Sequence, residues 1–270
     1  TFTGSADTAA KLRVHPNVVR HSIPFNAEAD SLNAAILAPE VTPDDEEFDL
    51  FVKEVVREMT IKAGQKCTAT SRLIVTEKIA DRFLAALAGR ADTLAVGDPT
   101  DDATQMGPVV SGSARKSIHA GIDSAVAQGG AVLAGGTPYG DGPLAEGYFV
   151  APTVVELSEP ADIWSEELFG PVLAVRRAAD ADEAFALAND SEFGLSAAVF
   201  TQDLTRVLQA VEHVDVGVLH VNSESAGADP HVPFGGAKKS GLGPKEQGTA
   251  AREFFTHTTT VYLRGGQARA

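Results

Sequence analysis

The sequence contains a single cysteine and no long apolar run in its 270 residues. One cysteine cannot form an internal disulfide, and it excludes a structural zinc site built from several thiolates. No apolar stretch approaches the roughly 20 residues that a membrane-spanning helix needs, and the first residues lack the basic and apolar segments of a secretory signal. We therefore expect a cytoplasmic protein that has no membrane partner.

Positive charge is also scarce in this chain. Its 22 Lys and Arg residues face 37 Asp and Glu residues, which gives a formal net charge of −15. Such a surface repels phosphate polymers and anionic lipid, so nucleic acid is excluded as a partner. The contents of 44% hydrophobic and 22% charged residues are ordinary for a globular chain, and they exclude the disordered and fibrous classes.

Strand-like and helix-like segments alternate along most of the chain. Short apolar or β-branched runs mark strands, and segments with apolar residues at helical spacing lie between them. The strands that we predict are 18–25, 31–37, 72–76, 131–134, 149–157, 171–176, 195–201 and 217–221. The helices that we predict are 6–13, 78–89, 111–128, 181–189, 204–214 and one that begins at Thr42 and ends near Gly64. This order predicts an α/β fold in which a mainly parallel sheet is flanked by helices.

The only cysteine, Cys67, lies in the segment GQKCTATSR, between the long helix and the next strand. A lone cysteine is most often a buried and inert small apolar residue. Here the small and polar neighbours indicate a partly open loop. The adjacent Lys66 would favour the thiolate, so we expect a low thiol pKa and rapid alkylation. A nucleophilic thiolate also needs a base, or a donor for the oxyanion that it creates.

A second unusual segment runs from Pro233 to Gly248 and contains paired glycines, several lysines, Phe234 and Glu246. A loop of this length without secondary structure of its own is usually functional or disordered. The aromatic side chain of Phe234 favours a loop that is docked onto the protein. By itself, Glu246 would be a solvated loop carboxylate.

Four segments, in this order, carry a family resemblance: GQKCTATSR at 64–72, EELFGPVL at 166–173, NDSEFGLSAAVFT at 189–201 and HVPFGGAKKSGLGPKEQG at 231–248. Together they resemble the NAD(P)-dependent aldehyde dehydrogenase superfamily. The resemblance covers essentially the whole chain, which looks like the C-terminal, catalytic part of such an enzyme. It implies oxidation of a small-molecule aldehyde to a carboxylic acid, with NAD or NADP as the cofactor.

The resemblance implies catalytic roles for two residues. Cys67 takes the place of the family's nucleophile. Glu28 takes the place of its general base, although the usual Glu-Leu-Gly-Gly is Glu-Ala-Asp-Ser here; without the resemblance it would be a solvated carboxylate at a strand end. In the implied reaction the Cys67 thiolate attacks the aldehyde and hydride leaves for the cofactor. Glu28 then activates the water that hydrolyses the thioester.

The resemblance also implies cofactor contacts. Gly4 and Ser5 match the strand-to-helix turn under the cofactor pyrophosphate, where the N–H groups of a helix N-terminus bind phosphate. Glu167 and Phe169 match contacts to the nicotinamide ribose, and their segment also reads as a turn that enters a buried strand.

Three further residues match the family in the C-terminal third of the chain. Phe234 matches an aromatic residue that lines the aldehyde channel. Glu246 matches a carboxylate sometimes assigned to a proton relay. Asn222 fits better as a structural hydrogen-bonding residue than as a catalytic one. No motif in the sequence indicates a metal site.

The implied organisation has three parts. Residues 1–33 would be the end of a dinucleotide-binding domain, residues 34–255 the catalytic domain, and residues 256–270 an oligomerisation tail. The β-branched tail would form a strand with a neighbouring subunit, which implies a homodimer or homotetramer. The chain has no initial Met, and most of the dinucleotide-binding half would lie upstream. We therefore expect the chain to be inactive by itself.

The substrate and the reaction class have alternatives. Residues 21–33 and 55–60 resemble ring-cleavage semialdehyde dehydrogenases of bacterial phenylacetate and benzoate degradation, whereas the loop 233–248 looks like that of ordinary semialdehyde dehydrogenases. A coenzyme A-acylating aldehyde dehydrogenase is opposed by the presence of Glu28, because an attacking water needs a base and an attacking thiolate does not. A cysteine hydrolase would need a histidine in a hydrolase-like motif near Cys67. A non-catalytic fragment is the remaining alternative, and cofactor binding separates it from an enzyme.

Overall fold

A computed structural model describes residues 1–266, so positions 267–270 of the predicted tail lie outside the described residues. The strands are β1 (Phe2–Thr3), β2 (Ala27–Glu28), β3 (Asn33–Leu37), β4 (Thr70–Thr76), β5 (Ala131–Ala134), β6 (Thr153–Glu156), β7 (Val172–Ala178), β8 (Phe193–Gly194), β9 (Ser196–Phe200), β10 (Val218–Val221), β11 (Ala237–Lys238) and β12 (Gly241–Leu242). The helices are α1 (Ala6–Arg13), α2 (Pro16–Arg20), α3 (Glu46–Thr60), α4 (Glu77–Asp92), α5 (Gly112–Ala127), α6 (Gly142–Glu146), α7 (Asp162–Ser165), α8 (Ala181–Asn189), α9 (Leu204–His213) and α10 (Gly248–Phe255). A 3₁₀ turn over Ile61–Gly64 follows α3.

The large sheet has seven strands in the order β10-β9-β3-β4-β7-β6-β5. All neighbours in it are parallel except the edge strand β5, which runs antiparallel to β6. Helices cover it because parallel neighbours need crossover connections. The predicted α/β class with a mainly parallel sheet is therefore confirmed. Among residues 1–266, no helix combines the length and apolarity needed to cross a bilayer.

The core lies on both faces of this sheet. Successive residues of β4 point to opposite faces, so Leu73 packs with one apolar cluster and Ile74 with the other. On the first face the Phe51 ring of α3 lies 4.9 Å from the rings of both Phe83 and Phe200. Burying one such side chain stabilises the fold by about 1.5–3 kcal/mol.

A small three-stranded sheet in the order β1-β2-β12 lies beside the large one. β2 pairs in parallel with β1 and antiparallel with β12, which comes from the segment Pro233–Gly248. This segment is docked, as Phe234 suggested. It also contains β11 and β12, so the expectation that it lacks secondary structure is wrong.

Two local predictions near the N-terminal side are wrong. A strand was expected over 18–25, but residues Pro16–Arg20 form α2, because Pro16 occupies the first helical turn and the His15 ring accepts a hydrogen bond from Asn17 N–H at 3.3 Å. The long helix starts at Glu46 and not at Thr42. The Asp45 carboxylate accepts hydrogen bonds from the backbone and hydroxyl of Thr42, at 2.7 and 2.9 Å, and so closes a turn ahead of the helix.

The structure near the end of the chain also differs from the prediction. Residues Gly248–Phe255 form α10, which the sequence reading did not include. The described part of the tail, 256–266, pairs with no strand of the described chain, and Tyr262 and Leu263 are almost fully exposed. Pairing of the tail with a second subunit stays a prediction.

One charged side chain, Arg72 of β4, is buried in the middle of the fold at 2% exposure. Its guanidinium donates hydrogen bonds to the backbone carbonyls of Leu32, Leu187, Ala188 and Asp190. It also lies 5.1 Å above the ring of Trp164. Burial lowers the pKa of Arg72 to about 10, which still leaves it charged at neutral pH. This fork joins β4, the segment before β3 and the end of α8.

We expect Arg72→Lys to lower the free energy of unfolding by about 2–4 kcal/mol, since an ammonium cannot reproduce the planar fork and leaves buried carbonyls unpaired. Urea denaturation measures the change. Arg176→Lys is the matched control, because Arg176 contacts the same Trp164 ring at 5.5 Å from a partly exposed position. Equal losses in the two variants would contradict a special role for the buried fork.

Candidate active site

The loop that carries Cys67 begins with a left-handed turn. Lys62, Ala63 and Gly64 have φ values of +55°, +52° and +70°. Such a conformation costs a residue other than glycine about 1–3 kcal/mol. A Cβ at Gly64 would lie 2.3 Å from the carbonyl oxygen of Gly170, so only glycine allows this approach. The loop is therefore held in place by contacts outside the turn.

The main contact is the buried side chain of Asn33, at the start of β3. Its Nδ2 donates hydrogen bonds to the carbonyls of Cys67 and Ala69, both at 2.8 Å. Its Oδ1 accepts from the N–H of Ser196 in β9 at 3.1 Å. The Ser31 hydroxyl also donates to the Cys67 carbonyl. These bonds fix the backbone of Cys67 against two strands of the large sheet.

A second contact comes from α3. The Lys66 ammonium lies 3.1 Å from the Glu58 carboxylate, which is 1% exposed. Burial raises the pKa of Glu58, and the Lys66 charge opposes that rise. Ser225 donates to the carbonyl of Thr68 at 2.8 Å from the other side. The Lys66 ammonium therefore forms its ion pair with Glu58 of α3.

Glu28 lies on the central strand of the small sheet and is 5% exposed. Its Oε2 accepts a hydrogen bond from Gly236 N–H at 3.1 Å. Burial raises the pKa of Glu28 to about 7; the charge of Glu246 also raises it, while the Gly236 bond and Lys245 lower it. A carboxyl group with this pKa exchanges its proton near neutral pH, which suits a general base.

The segment above Glu28 is held by its own contacts. Phe234 and Glu246 form an antiparallel bridge in which Phe234 N–H donates to the Glu246 carbonyl at 2.6 Å. The Lys245 ammonium donates to the carbonyls of Gly235 and Gly236, the latter at 2.9 Å. Phe234 and Glu246 are thus next to the residues that touch Glu28.

Glu167 is the second carboxylate beside the cysteine loop. Its Oε1 lies 3.2 Å from the Ser31 hydroxyl, whose single proton it shares with the Cys67 carbonyl. Burial raises the pKa of Glu167 to about 7, and the charge of Asp30 adds to the rise. Phe169, two residues on, has a φ of +50° and is 44% exposed. A carboxylate acceptor and an open aromatic face therefore lie on one segment next to Cys67.

The half-buried Cys67 thiol has a raised pKa and not the low one expected from the sequence. Burial is the main cause, and the charges of Glu167 and Glu28 raise the pKa further, while the backbone N–H groups of Cys67 and Thr68 oppose the rise. The expectation failed because Lys66 pairs with Glu58 and not with the thiolate. These N–H groups are also suitable donors for the oxyanion that forms on a carbonyl oxygen when the sulfur adds to the carbonyl carbon.

The turn at Gly4 and Ser5 lies against the same small sheet. Gly4 N–H donates to the Glu28 carbonyl at 3.1 Å, and the Ser5 hydroxyl accepts from Thr8 N–H at the start of α1. The first N–H of the helix, that of Ala6, donates to the Asp30 carboxylate at 3.0 Å. The Asp30 carboxylate therefore occupies part of the α1 N-terminus.

Asn222 has the structural role that the sequence favoured. Its φ is +51°. Its side-chain oxygen accepts a hydrogen bond from Thr201 N–H and its side-chain nitrogen donates one to the Thr201 carbonyl, both at 2.8 Å.

Ser31 contacts both the Glu167 carboxylate and the Cys67 carbonyl, and the charges of Glu167 and Glu28 both raise the pKa of the Cys67 thiol. The sequence reading missed the positioning side chains Ser31 and Asn33. Their only signal was that two polar residues lie in the predicted strand 31–37. Within residues 1–266, no three His, Cys, Asp or Glu side chains are arranged to bind a metal ion.

Comparisons with known proteins give one consistent result. The aldehyde dehydrogenase family model matches residues 1–261. Alpha-ketoglutaric semialdehyde dehydrogenase of Bacillus subtilis is 36% identical over 265 residues, which are 98% of this chain and 53% of that protein. Betaine aldehyde dehydrogenase of Rhizobium etli is 36% identical over 99% of this chain and 57% of its own length. The fold is similar to that of Staphylococcus aureus betaine aldehyde dehydrogenase in complex with NAD⁺, with a TM-score of 0.86 and 32% identity over 93% of this chain and 48% of that one. The chain therefore spans about half the length of the relatives it matches.

We expect the rate of Cys67 alkylation by iodoacetamide to rise with pH along a curve whose midpoint lies above that of a free thiol, because only the thiolate reacts and its pKa is raised. Glu167→Gln removes one of the two charges that add to the effect of burial on this pKa, and it should lower the midpoint. The measurement is mass spectrometry of timed reactions, with N-acetylcysteine as the reference thiol. A midpoint at or below that of the reference would show that the thiol is activated after all.

Proposed function

The chain belongs to the aldehyde dehydrogenase family, and we propose that it is the catalytic part of an NAD(P)-dependent enzyme that oxidises an aldehyde to a carboxylic acid. The observation that carries the proposal is the pairing of a fixed cysteine with a buried carboxyl group. Cys67 is the sole thiol, and Glu28, whose pKa is about 7, acts on it electrostatically.

In the proposed mechanism the Cys67 thiolate attacks the aldehyde carbon. A carbon–sulfur bond forms, and the carbonyl oxygen becomes an oxyanion that the Cys67 backbone N–H can stabilise. A bound nicotinamide cofactor would accept the hydride from that carbon, which leaves a thioester on Cys67. Glu28 then takes a proton from water, the water oxygen attacks the thioester carbon, and the carbon–sulfur bond breaks to release the acid.

The residues expected to bind the cofactor have suitable chemistry. The Glu167 carboxylate can accept hydrogen bonds from ribose hydroxyls, and this orients the bound group toward Cys67. The exposed ring of Phe169 offers an apolar face on the same segment. Gly4 and Ser5 stand at the N-terminus of α1, the site proposed for the pyrophosphate, where the Asp30 carboxylate accepts from Ala6 N–H and would have to give way to a phosphate. We keep both NAD and NADP as candidates.

The hydrolytic outcome is favoured over coenzyme A acylation, because a base with a pKa near 7 serves an attacking water and is not needed by a thiolate. The aldehyde itself is a separate question. The relatives' names include a semialdehyde of a dicarboxylic acid and a quaternary ammonium aldehyde, which differ in charge. Segments 21–33 and 55–60 favour a semialdehyde of aromatic degradation, whereas the loop 233–248 favours the substrate of an ordinary semialdehyde dehydrogenase, and both stay candidates.

The organisation proposed from the sequence is kept. Residues 1–33 are proposed as the end of a dinucleotide-binding domain, 34–255 as the catalytic domain and 256–270 as an oligomerisation tail. A cytoplasmic location stays a prediction.

The role of Glu28 can be tested without a cofactor through the hydrolysis of p-nitrophenyl acetate. Acylation of Cys67 releases p-nitrophenolate, and turnover then requires hydrolysis of the acetyl thioester. We expect Glu28→Gln to keep the initial burst of p-nitrophenolate and to lower the steady-state rate by about 10²–10⁴-fold, the usual contribution of a general base. Stopped-flow absorbance measures both phases.

Cys67→Ser is expected to abolish the burst. Glu166→Gln, an exposed neighbour of the site that removes the same charge, should change neither phase. Unchanged turnover in Glu28→Gln would remove Glu28 from the mechanism.

We also expect residues 1–270 alone to form no NADH or NADPH from an aldehyde. The residues proposed for cofactor binding reach only its pyrophosphate and nicotinamide ribose, and the chain covers about half of its relatives. Absorbance at the reduced-nicotinamide band and calorimetric titration with NAD and NADP measure activity and binding. Micromolar binding by this chain would contradict the expectation.

The exposed tail predicts self-association. Val261, Tyr262 and Leu263 expose apolar surface that a neighbouring subunit could cover. Deletion of residues 256–270 should convert an oligomer to monomer or aggregate, as measured by light scattering. An unchanged oligomer would place the interface elsewhere.

A further inference from the structure

The side-chain amide of Asn26, two residues before Glu28, is buried at 1% exposure. Its Nδ2 donates a hydrogen bond to the Pro244 carbonyl at 2.8 Å. Because a carbonyl can only accept, this bond fixes which end of the amide carries the oxygen. The Asn26 Oδ1 is buried and has no hydrogen-bond partner among residues 1–266. Buried acceptors nearly always have a partner, which is either a protein group or an ordered water molecule.

Asn26 and Glu28 lie on the same face of the small sheet. Successive residues of a strand point to opposite faces. Ala27 and Ala29 line the cavity on the α1 side of this sheet, so Asn26 and Glu28 point to the other side, where the segment 233–248 covers them. Residues two apart on one face of a strand are separated by about 6.7 Å along the chain.

The oxygen of the Asn26 amide is on the side nearer to Glu28. β12 runs antiparallel to β2, with Gly241 opposite Glu28. A Cβ at Gly243 would lie 3.3 Å from the Asn26 Cα, so the same register continues beyond the paired strands. Pro244 therefore lies past Asn26, away from Glu28, and the amide nitrogen is directed there. The Oδ1 is at the other end of the amide and faces the Glu28 carboxyl group.

We propose that the Asn26 Oδ1 and the Glu28 carboxyl group hold one buried water molecule between them, and that Asn26 is thereby a positioning residue for Glu28. Two hydrogen bonds of about 2.8 Å join oxygens that are up to about 5.5 Å apart, which suits side chains at this spacing. The water donates one hydrogen bond to Oδ1 and the other to the ionised carboxylate. The role of Glu28 as a base rests on the proposed function, whereas the water site does not.

The bridging water favours the ionised form of Glu28, because a hydrogen bond donated to a carboxylate stabilises its charge. The other groups that act on this carboxyl are the N–H of Gly236, the charges of Lys245 and Glu246, and the thiol of Cys67. None of these is changed by a substitution at Asn26. Loss of the water should therefore raise the pKa of Glu28.

A crystal structure of the chain tests the site directly. We expect an ordered water within about 3.2 Å of both the Asn26 Oδ1 and a Glu28 carboxylate oxygen. An Oδ1 that contacts only protein atoms overturns the proposal. A water that reaches Oδ1 but not Glu28 also overturns it.

Two variants separate the water from the amide bond to Pro244. Asn26→Leu and Asn26→Ser both remove the Nδ2 donor, but Leu fills the position of the water, while Ser keeps an acceptor and leaves room for it. We expect Asn26→Leu to raise the pKa of Glu28 by about one unit and Asn26→Ser to change it little. NMR titration of isotope-labelled glutamate carboxyl groups, with Glu28 assigned through Glu28→Gln, measures the pKa. Equal shifts in the two variants, or no shift in Asn26→Leu, overturn the proposal.

Asn222→Leu is the matched control for the loss of a buried amide. Both ends of the Asn222 amide bond the backbone of Thr201, so this amide has no place for a bridging water. The variant should lower the free energy of unfolding and leave the pKa of Glu28 unchanged. A shift equal to that of Asn26→Leu would mean that the loss of a buried amide, and not of the water, is the cause, and it would overturn the proposal.

Hydrolysis of p-nitrophenyl acetate separates this inference from the proposed function. A rise of one pKa unit lowers the ionised fraction of Glu28 about tenfold at about pH 6 and very little at about pH 9, and turnover by Asn26→Leu should fall accordingly. If Glu28→Gln leaves turnover unchanged, the proposed function is wrong, and the crystal structure and the titration still decide the water site. If Glu28→Gln slows turnover and Asn26→Leu does not at either pH, only the inference about Asn26 is wrong.

Discussion

The buried amide of Asn33 is the contact on which the site depends most. It joins the Cys67 loop to β3 and β9 through bonds to two carbonyls and one N–H. Without the amide, the Ala69 carbonyl and the Ser196 N–H would lose this partner and the Cys67 carbonyl would keep only Ser31, and a buried polar group left unpaired costs about 1–3 kcal/mol. The preceding left-handed turn at residues 62–64 adds strain that the loop cannot relieve locally. The position of the nucleophile is therefore fixed by a side chain more than thirty residues away in sequence, within the rigid part of the sheet.

The charges at the site have a cost in stability as well as a chemical use. Burial raises the pKa of Glu28 and of Glu167 from 4.5 to about 7. The folded state then binds these protons more tightly than the unfolded chain does. Folding consequently loses free energy as the pH rises from about 4.5 to about 7, where the unfolded carboxyl groups have already ionised. A site that retains two such groups is less stable at neutral pH than one with neutral side chains of the same shape. The same burial gives Glu28 a proton affinity suited to base catalysis.

Much of the fold was predictable from local sequence, whereas much of the site was not. Strands such as β5 and helices such as α8 begin and end where their apolar periods and flanking residues indicate, because those signals are local. The strand predicted over 18–25 was wrong because two local signals conflict there. The helix start at Pro16 prevailed over the β-propensity of the residues that follow it. The prediction of a low pKa for Cys67 was wrong for a different reason. The direction of the Lys66 side chain depends on Glu58, one helix away, and sequence adjacency to the cysteine did not reveal it.

The glycines of the segment 233–248 are required by packing against Glu28. A Cβ at Gly235 would lie 2.6 Å from the Glu28 carboxylate, so any larger residue would displace the proposed base. Gly235 also has a φ of +152°, at the edge of the region that favours glycine. Its neighbour Gly236 supplies the N–H that bonds the other carboxylate oxygen. These glycines are needed because the backbone contacts the buried Glu28 carboxylate at this point. The ammonium of Lys245 donates hydrogen bonds to their carbonyls. The glycine pair and Glu28 thus form one packing unit, although more than two hundred residues separate them.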